Sequence, residues 1–291
     1  MNIKEIIQEL TDKNILNHEI TKVDQLSGGT TSKLYLLREN RNNKRVVKIN
    51  EPHVLEAESF FLTCYKDVVL LPELLYTDPS YRYIVYSFVE GSVNYNRNQK
   101  QELLQSLVKK FINHYKPVSE PAGWGWADEL TDSWQSFLLS RAIESSTILK
   151  PYLEKEDHDL ILKLLKSPNR NSEFTQPYLL HGDCGVHNFI FTEEKLTGVI
   201  DPTLVFGEPI YDLIYAFCSS PDDLTKETIS SATSLLQTYE NKNDRLLHEE
   251  VLIGLYFRMA TCVRHHPEDF EEYLKAWDYW KHVVKAASLK K

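Results

Sequence analysis

The sequence predicts an α+β protein in two lobes, a small antiparallel sheet with one helix followed by a mostly helical lobe. Three observations carry that expectation. Short apolar runs of strand character crowd the first ninety residues and are separated by turn-rich segments. Beyond Gly91 the apolar spacing switches to the helical period over long stretches. The length of 291 residues also lies where a single hydrophobic core stops growing. The boundary is placed in a short connector, Ser87 to Gly91, dividing residues 1–90 from 91–291.

Taken in order, MNIKEIIQEL opens an amphipathic helix over 2–12, with charges inside its apolar pattern that a signal peptide would lack. ITKVDQLS (20–27) reads as a strand broken by SGGTTS. LYLLRE (34–39) and RVVKIN (45–50) are strands joined by the turn-rich NRNN. A helix follows over 53–66, then strands at 73–77 and 81–89. Helical patterns cover 99–115, 131–148, 155–166, 224–239, 246–263 and 268–288. One β interlude interrupts them, from YLLHGD (178–183) to GVID (198–201).

Composition excludes several classes. Apolar residues make up 42% and charged residues 26%, as in a soluble globular chain. The run VVLLPELLY is short and broken by Pro72, and no stretch approaches the roughly 20 apolar residues of a membrane span. The expected location is the cytoplasm. Cys64, Cys184, Cys218 and Cys262 are scattered, which suggests neither a zinc site nor a disulfide framework. A net charge of −9 argues against nucleic acid and anionic membrane as partners. The same sign would suit a cationic small molecule.

The chemistry concentrates in HGDCGVHNFIF (181–191) and GVIDP (198–202). Asp183 and Asn188 stand five residues apart between two short apolar runs, and Asp201 follows thirteen residues later. Phosphoryl transfer uses such a set. One carboxylate takes the proton of an attacking hydroxyl, while a carboxamide and a second carboxylate offer hard oxygens to Mg²⁺. Each residue alone has an ordinary alternative as a turn or helix cap. The three together, flanked by strands, are a far more specific signal.

With GEPIYDL (207–213) in the same order and spacing, these motifs resemble the aminoglycoside phosphotransferase and choline kinase-like family, which has the protein kinase-like fold. The resemblance extends back over the whole chain and implies an ATP- and Mg²⁺-dependent kinase acting on a small-molecule hydroxyl acceptor. By it, Asp183 is the catalytic carboxylate, Asn188 and Asp201 hold the metal, and Asp212 braces the catalytic loop. Lys48 in RVVKIN is the phosphate-pairing lysine, oriented by a helix glutamate, Glu58 in preference to Glu56. Gly28 and Gly29 belong to the phosphate-covering loop, and the backbone from Ser87 to Val89 meets the adenine. Pro202 takes the place of the Phe that follows the metal-binding Asp in protein kinases, as in fructosamine kinase-like members. Cys184 stands where Leu or Phe is frequent and is expected to be a small buried replacement. His187 reads as a turn or packing residue.

The acceptor side is less legible. GWGWADELTDSWQSFL (123–138) is similar to a segment of hygromycin-type phosphotransferases, and Trp124, Trp126 and Trp134 beside Asp128 and Glu129 would suit a sugar-binding wall. Burial in helix packing is the competing expectation for those tryptophans. EDFEEYLKAWDYW (268–280) is a candidate acidic surface for a cationic drug, weakened by the basic SLKK end. Other readings are a fructosamine or other metabolite kinase of the same fold, or a nucleotide-binding module without transferase activity.

Overall fold

The computed structural model describes residues 2–16, 19–26, 32–40, 43–118, 123–168, 176–239 and 244–289. Helix α1 (Ile3–Asp12) begins at a capping box, in which Asn2 Oδ1 accepts from the Lys4 amide at 3.2 Å and the Glu5 carboxylate accepts from the Asn2 amide at 3.0 Å. Its apolar stripe, Ile6 and Leu10, is fully buried against the first sheet.

That sheet is antiparallel and has five strands, β1 (Lys22–Leu26), β2 (Lys33–Asn40), β3 (Asn43–Ile49), β4 (Leu74–Thr77) and β5 (Ile84–Ser87), in the order β1-β2-β3-β5-β4. Strand β3 is central, pairing Lys48 with Leu34 on one side and Ile84 on the other. Lys48 is therefore a buried residue of an inner strand. Helix α2 (Pro52–Cys64) starts on a proline, which suits a first turn lacking amide partners. It buries Phe61 and Leu62, together with Tyr65 just beyond it, in the core of the helical region. The Tyr65 hydroxyl donates to the Leu179 carbonyl at 2.6 Å, stitching the two regions together.

After the connector the chain is mainly helical: α3 (Lys100–Lys110), α4 (Trp134–Leu149), α5 (Lys155–Leu165), α6 (Ile210–Cys218), α7 (Lys226–Thr233), α8 (Asp244–His265) and α9 (Phe270–Leu289). Two helices are shorter than their apolar patterns suggest. The pattern over 99–115 ends as helix at Lys110 and continues as a 3₁₀ turn, Ile112–His114. The pattern over 224–239 yields α7 and a separate 3₁₀ turn, Gln237–Tyr239. The Thr225 cap explains the α7 start, and its Ser- and Thr-rich end favours local side-chain bonds over helix continuation.

The β interlude is two structures. Strands β9 (Phe189–Thr192) and β10 (Lys195–Val199) form a hairpin. Strand β8 (Tyr178–Leu180) instead pairs with β11 (Val205–Gly207), which also pairs with β6 (Trp124–Trp126) and, through it, β7 (Glu129–Thr131). These three-residue strands are too short to show a period of two in sequence. Together they frame the loop 181–188 from both sides.

Candidate active site

The loop after β8 is fixed by α6. The Asp212 carboxylate lies in that helix's first turn, where the aligned peptide dipoles favour negative charge. It accepts from the His181 amide at 2.8 Å, the Gly182 amide at 3.1 Å and the Tyr115 hydroxyl at 2.6 Å. Burial pushes its carboxyl up to about 7, against those three hydrogen bonds. Gly182 has φ +80, and a Cβ there would lie 1.9 Å from the Thr203 carbonyl oxygen, so only glycine fits. His181 is fully buried between the edges of Phe61 and Phe111, and burial holds its pKa down at about 4. Neutral, it links the loop to the strand end through Nε2 and the Ile200 carbonyl, 3.0 Å apart.

Asp183 emerges from this frame. Asn188 Nδ2 donates to both the Asp183 carbonyl and Asp183 Oδ2 at 2.9 Å. His187 Nε2 is 3.1 Å from Oδ2, and the Tyr215 hydroxyl donates to Oδ1. Burial alone would raise the Asp183 carboxyl, but His187 and Tyr215 outweigh it and hold the group below its ordinary value. His187, expected to be a turn or packing residue, thus touches the candidate base directly.

The second cluster centres on Lys48. Its Nζ lies 2.6 Å from Glu58 Oε2 and also bonds Asp201 Oδ1. Glu56, the alternative partner, is exposed on the other face of α2. Burial works against the Lys48 ammonium, yet Glu58 and Asp201 more than offset it and hold its pKa above the usual value. For Glu58 burial pushes the opposite way, toward the neutral acid, against the pull of Lys48. We take the pair as ionised, because Lys48 is held charged and sits within hydrogen-bond distance of two carboxylates. Asp201 has φ +59, a left-handed conformation that Asp tolerates better than most residues, and its side chain stays 43% exposed.

The two clusters are joined through the backbone: the Ile200 amide donates to the Asn188 carbonyl at 2.9 Å, placing Asp201 next to Asn188. The fit to a magnesium ion can be judged from the donors. The Asn188 amide nitrogen is committed to Asp183, which leaves its carbonyl oxygen as the free end, and Asp201 keeps one carboxylate oxygen beyond Lys48. No group of three or more His, Cys, Asp or Glu side chains poised for a metal occurs among the described residues. Two hard oxygens and no protein cage suit Mg²⁺, which takes its other ligands from phosphate and water.

Gly28 and Gly29 lie outside the described residues. At Ser87 the amide donates to the Glu73 carbonyl and the hydroxyl accepts from the Glu73 amide. Val89 packs toward Gly198 of β10. Of the aromatic segment, Trp134 is buried against Phe137 and Tyr211, so it is a packing residue rather than an open sugar-binding face. Trp126 lies beneath the Arg141 guanidinium, while Asp128 and Glu129 face solvent. The segment 268–280 buries Tyr273, Trp277 and Trp280 in the core and presents Glu271 and Glu272 to solvent. Sequence reasoning missed Tyr215 and Tyr211; their signal was position, since Tyr215 stands one helical turn after Asp212.

A search of curated proteins by sequence finds no match. Among solved structures, choline kinase from Cryptosporidium parvum Iowa II is similar over 97% of this chain and 96% of its own, at 15% identity and TM-score 0.62. A GDP complex of aminoglycoside 2'-phosphotransferase IIIa is similar over 99% of both chains, at 15% identity and TM-score 0.61. A thermostable aminoglycoside phosphotransferase APH(4)-Ia with ADP and hygromycin B is similar over 97% of both, at 14% identity and TM-score 0.60. At such identities the likeness speaks to the fold, which is protein kinase-like: an antiparallel-sheet N-terminal region and a helical C-terminal region. The sequence model of the phosphotransferase enzyme family matches residues 22–246, most of the chain, and the protein belongs to that family.

Proposed function

We propose that the protein transfers the γ-phosphate of Mg-ATP to a hydroxyl of a small molecule, aminoglycoside- or sugar-like in size, in the cytoplasm. The reading treats residues 1–90 as a nucleotide-binding lobe and 91–291 as the catalytic and acceptor-binding lobe. The observation that carries it is the meeting of Lys48, Glu58 and Asp201 in one cluster, tied through Asn188 to Asp183. Residues so far apart in sequence would have no packing reason to gather five polar groups there, since burying charge is costly unless it is paired.

In the reaction the acceptor oxygen attacks the γ-phosphorus, the bond to the β-phosphate oxygen breaks, and ADP leaves. Asp183 orients the hydroxyl and takes its proton. Tyr215 and Asn188 hold that carboxylate in place, and Lys48, kept extended by Glu58, holds the α- and β-phosphates. Asn188 and Asp201 would hold Mg²⁺, which when bound neutralises charge on the phosphates. Solved structures of similar fold were obtained with ADP, GDP or AMP-PNP, which supports nucleotide binding.

A fructosamine or other metabolite kinase would use the same machinery and differ only in its acceptor. A nucleotide-binding module without transferase activity is the less favoured reading, because Asp183 is held, oriented and biased toward its ionised form. Incubation with labelled ATP, Mg²⁺ and a panel of hydroxyl compounds tests the proposal. Labelled product from one acceptor is expected; nucleotide binding with transfer to none of them counts against it.

A further inference from the structure

A pocket opens beside Asp183 between α4, α6 and α8, lined in part by Arg141, Tyr211, Tyr215, Glu250, Phe257 and Arg258. Tyr215 connects it to the chemistry, because its ring lines the pocket and its hydroxyl donates to Asp183 Oδ1. The sign of the pocket is unexpected. The whole chain carries −9, yet two guanidinium groups and one carboxylate line this space among the described residues.

Both arginines are fixed without being neutralised. The Arg141 guanidinium lies 4.7 Å from the ring centre of Phe257, 5.6 Å from Trp126 and 5.8 Å from Tyr211, and it donates one hydrogen bond, to the Tyr211 hydroxyl. Arg258 lies 5.5 Å from the Tyr273 ring centre and donates from Nε to that residue's hydroxyl at 3.0 Å. Among the described residues no carboxylate forms a salt bridge with either. A guanidinium carries five N–H donors in a rigid fork. Each of these spends one on a neutral hydroxyl. Aromatic packing holds the planes still, which pre-organises the remaining donors for a planar or tetrahedral anion. A polycationic acceptor would meet repulsion here, and a half-buried cation without a counter-charge is costly.

We propose that this pocket binds the acceptor through an anionic group, so that the substrate is a hydroxyl compound carrying a carboxylate or a phosphate. Arg141 and Arg258 grip the anion, and the rings of Tyr211 and Phe257 take the body of the molecule. That the bound molecule is then phosphorylated rests on the phosphotransferase reading above; the anion preference itself stands on the pocket.

The test is calorimetric titration of the full chain with two charge series. One is glucose, glucosamine, glucuronate and glucose 6-phosphate; the other is glycerol, glycerate and glycerol 3-phosphate. At least one anion is expected to bind tenfold or more tightly than its neutral parent, and more tightly than the amine. The advantage should vanish in Arg141→Met and in Arg258→Met, variants that keep the apolar stem, while nucleotide affinity is unchanged. Arg141→Lys, which keeps charge without the fork and guards against misfolding of the Met variants, should retain part of it. Carboxylate and phosphate arms separate the two anion classes. Equal or tighter binding of the neutral or amine members overturns the proposal, as does an anion advantage that survives both Met variants. Product formation, followed by phosphorus NMR, keeps the two readings apart. Anion preference without transfer sinks the kinase reading alone, and transfer to an amine acceptor unaffected by Arg141→Met sinks the anion site alone.

Discussion

Asp183, the proposed base, shows how neighbours set the charge of a single side chain. His187 and Tyr215 bias the carboxyl toward the ionised form against the effect of burial. A base must be ionised to accept a proton, so activity should persist down into the acid range and fall as pH drops through the depressed pKa. Replacing His187 removes the largest of the favourable contributions. In His187→Ala the acid limb of the kcat/KM profile should move to higher pH; an unmoved limb would show that His187 does not bias the base. Cys184 gives a second residue-level expectation. It is fully buried and burial pushes its thiol well above the usual value, so the thiolate that alkylating agents attack is scarce. Iodoacetamide should label it far more slowly than the half-buried Cys64, measured by peptide mass spectrometry. Asp183, Asn188 and Asp201 were visible in sequence because a loop between strands confines its chemistry to a short motif. Arg141 was not, because it lies on a helix with no motif around it and gains meaning only from what the fold brings opposite; Tyr215 offered only its place one turn after Asp212.

Among the elements, the one that decides the site is the first turn of α6. Asp212 carries the loop through the His181 and Gly182 amides, and GEPIYDL announced that role in sequence. Asp212→Ala would leave two buried backbone donors and the Tyr115 hydroxyl without their acceptor, at a cost of roughly 2–4 kcal/mol. Its folded-state pKa, about 7, lies above the ordinary 3.8. Such a group contributes stability fully below the ordinary value and loses it as pH rises through the folded one. Denaturant midpoints should therefore decline for the wild type between about pH 4 and 7 relative to Asp212→Asn, and parallel curves would contradict the assignment. Strands β6, β7 and β11 escaped detection for a physical reason: at three residues each they hold no measurable period, and they exist because the Trp134 and Phe137 face of α4 gives them something to cover. The long helices and the five-stranded sheet were legible because their apolar spacing is repeated several times over.

At the scale of the whole molecule, the sheet delivers Lys48, α2 delivers Glu58, and the helical region delivers Asp183, Asn188 and Asp201. The proposed phosphoryl transfer needs all five together. Ligand that binds only the folded chain stabilises it by RT ln(1 + [L]/Kd), about 2.7 kcal/mol at a hundredfold excess over Kd. Mg-ATP should raise the melting temperature of the wild type, and Asp201→Ala should abolish the part of that rise that depends on Mg²⁺. The measurement that tests the central claim most directly compares Asp183→Asn with the wild type on an identified acceptor, with nucleotide affinity determined in parallel. Turnover is expected to fall by about 10²–10⁴-fold, the usual worth of a positioned base, with nucleotide affinity unchanged. Undiminished turnover, under conditions where the chemical step limits the rate, would contradict the account.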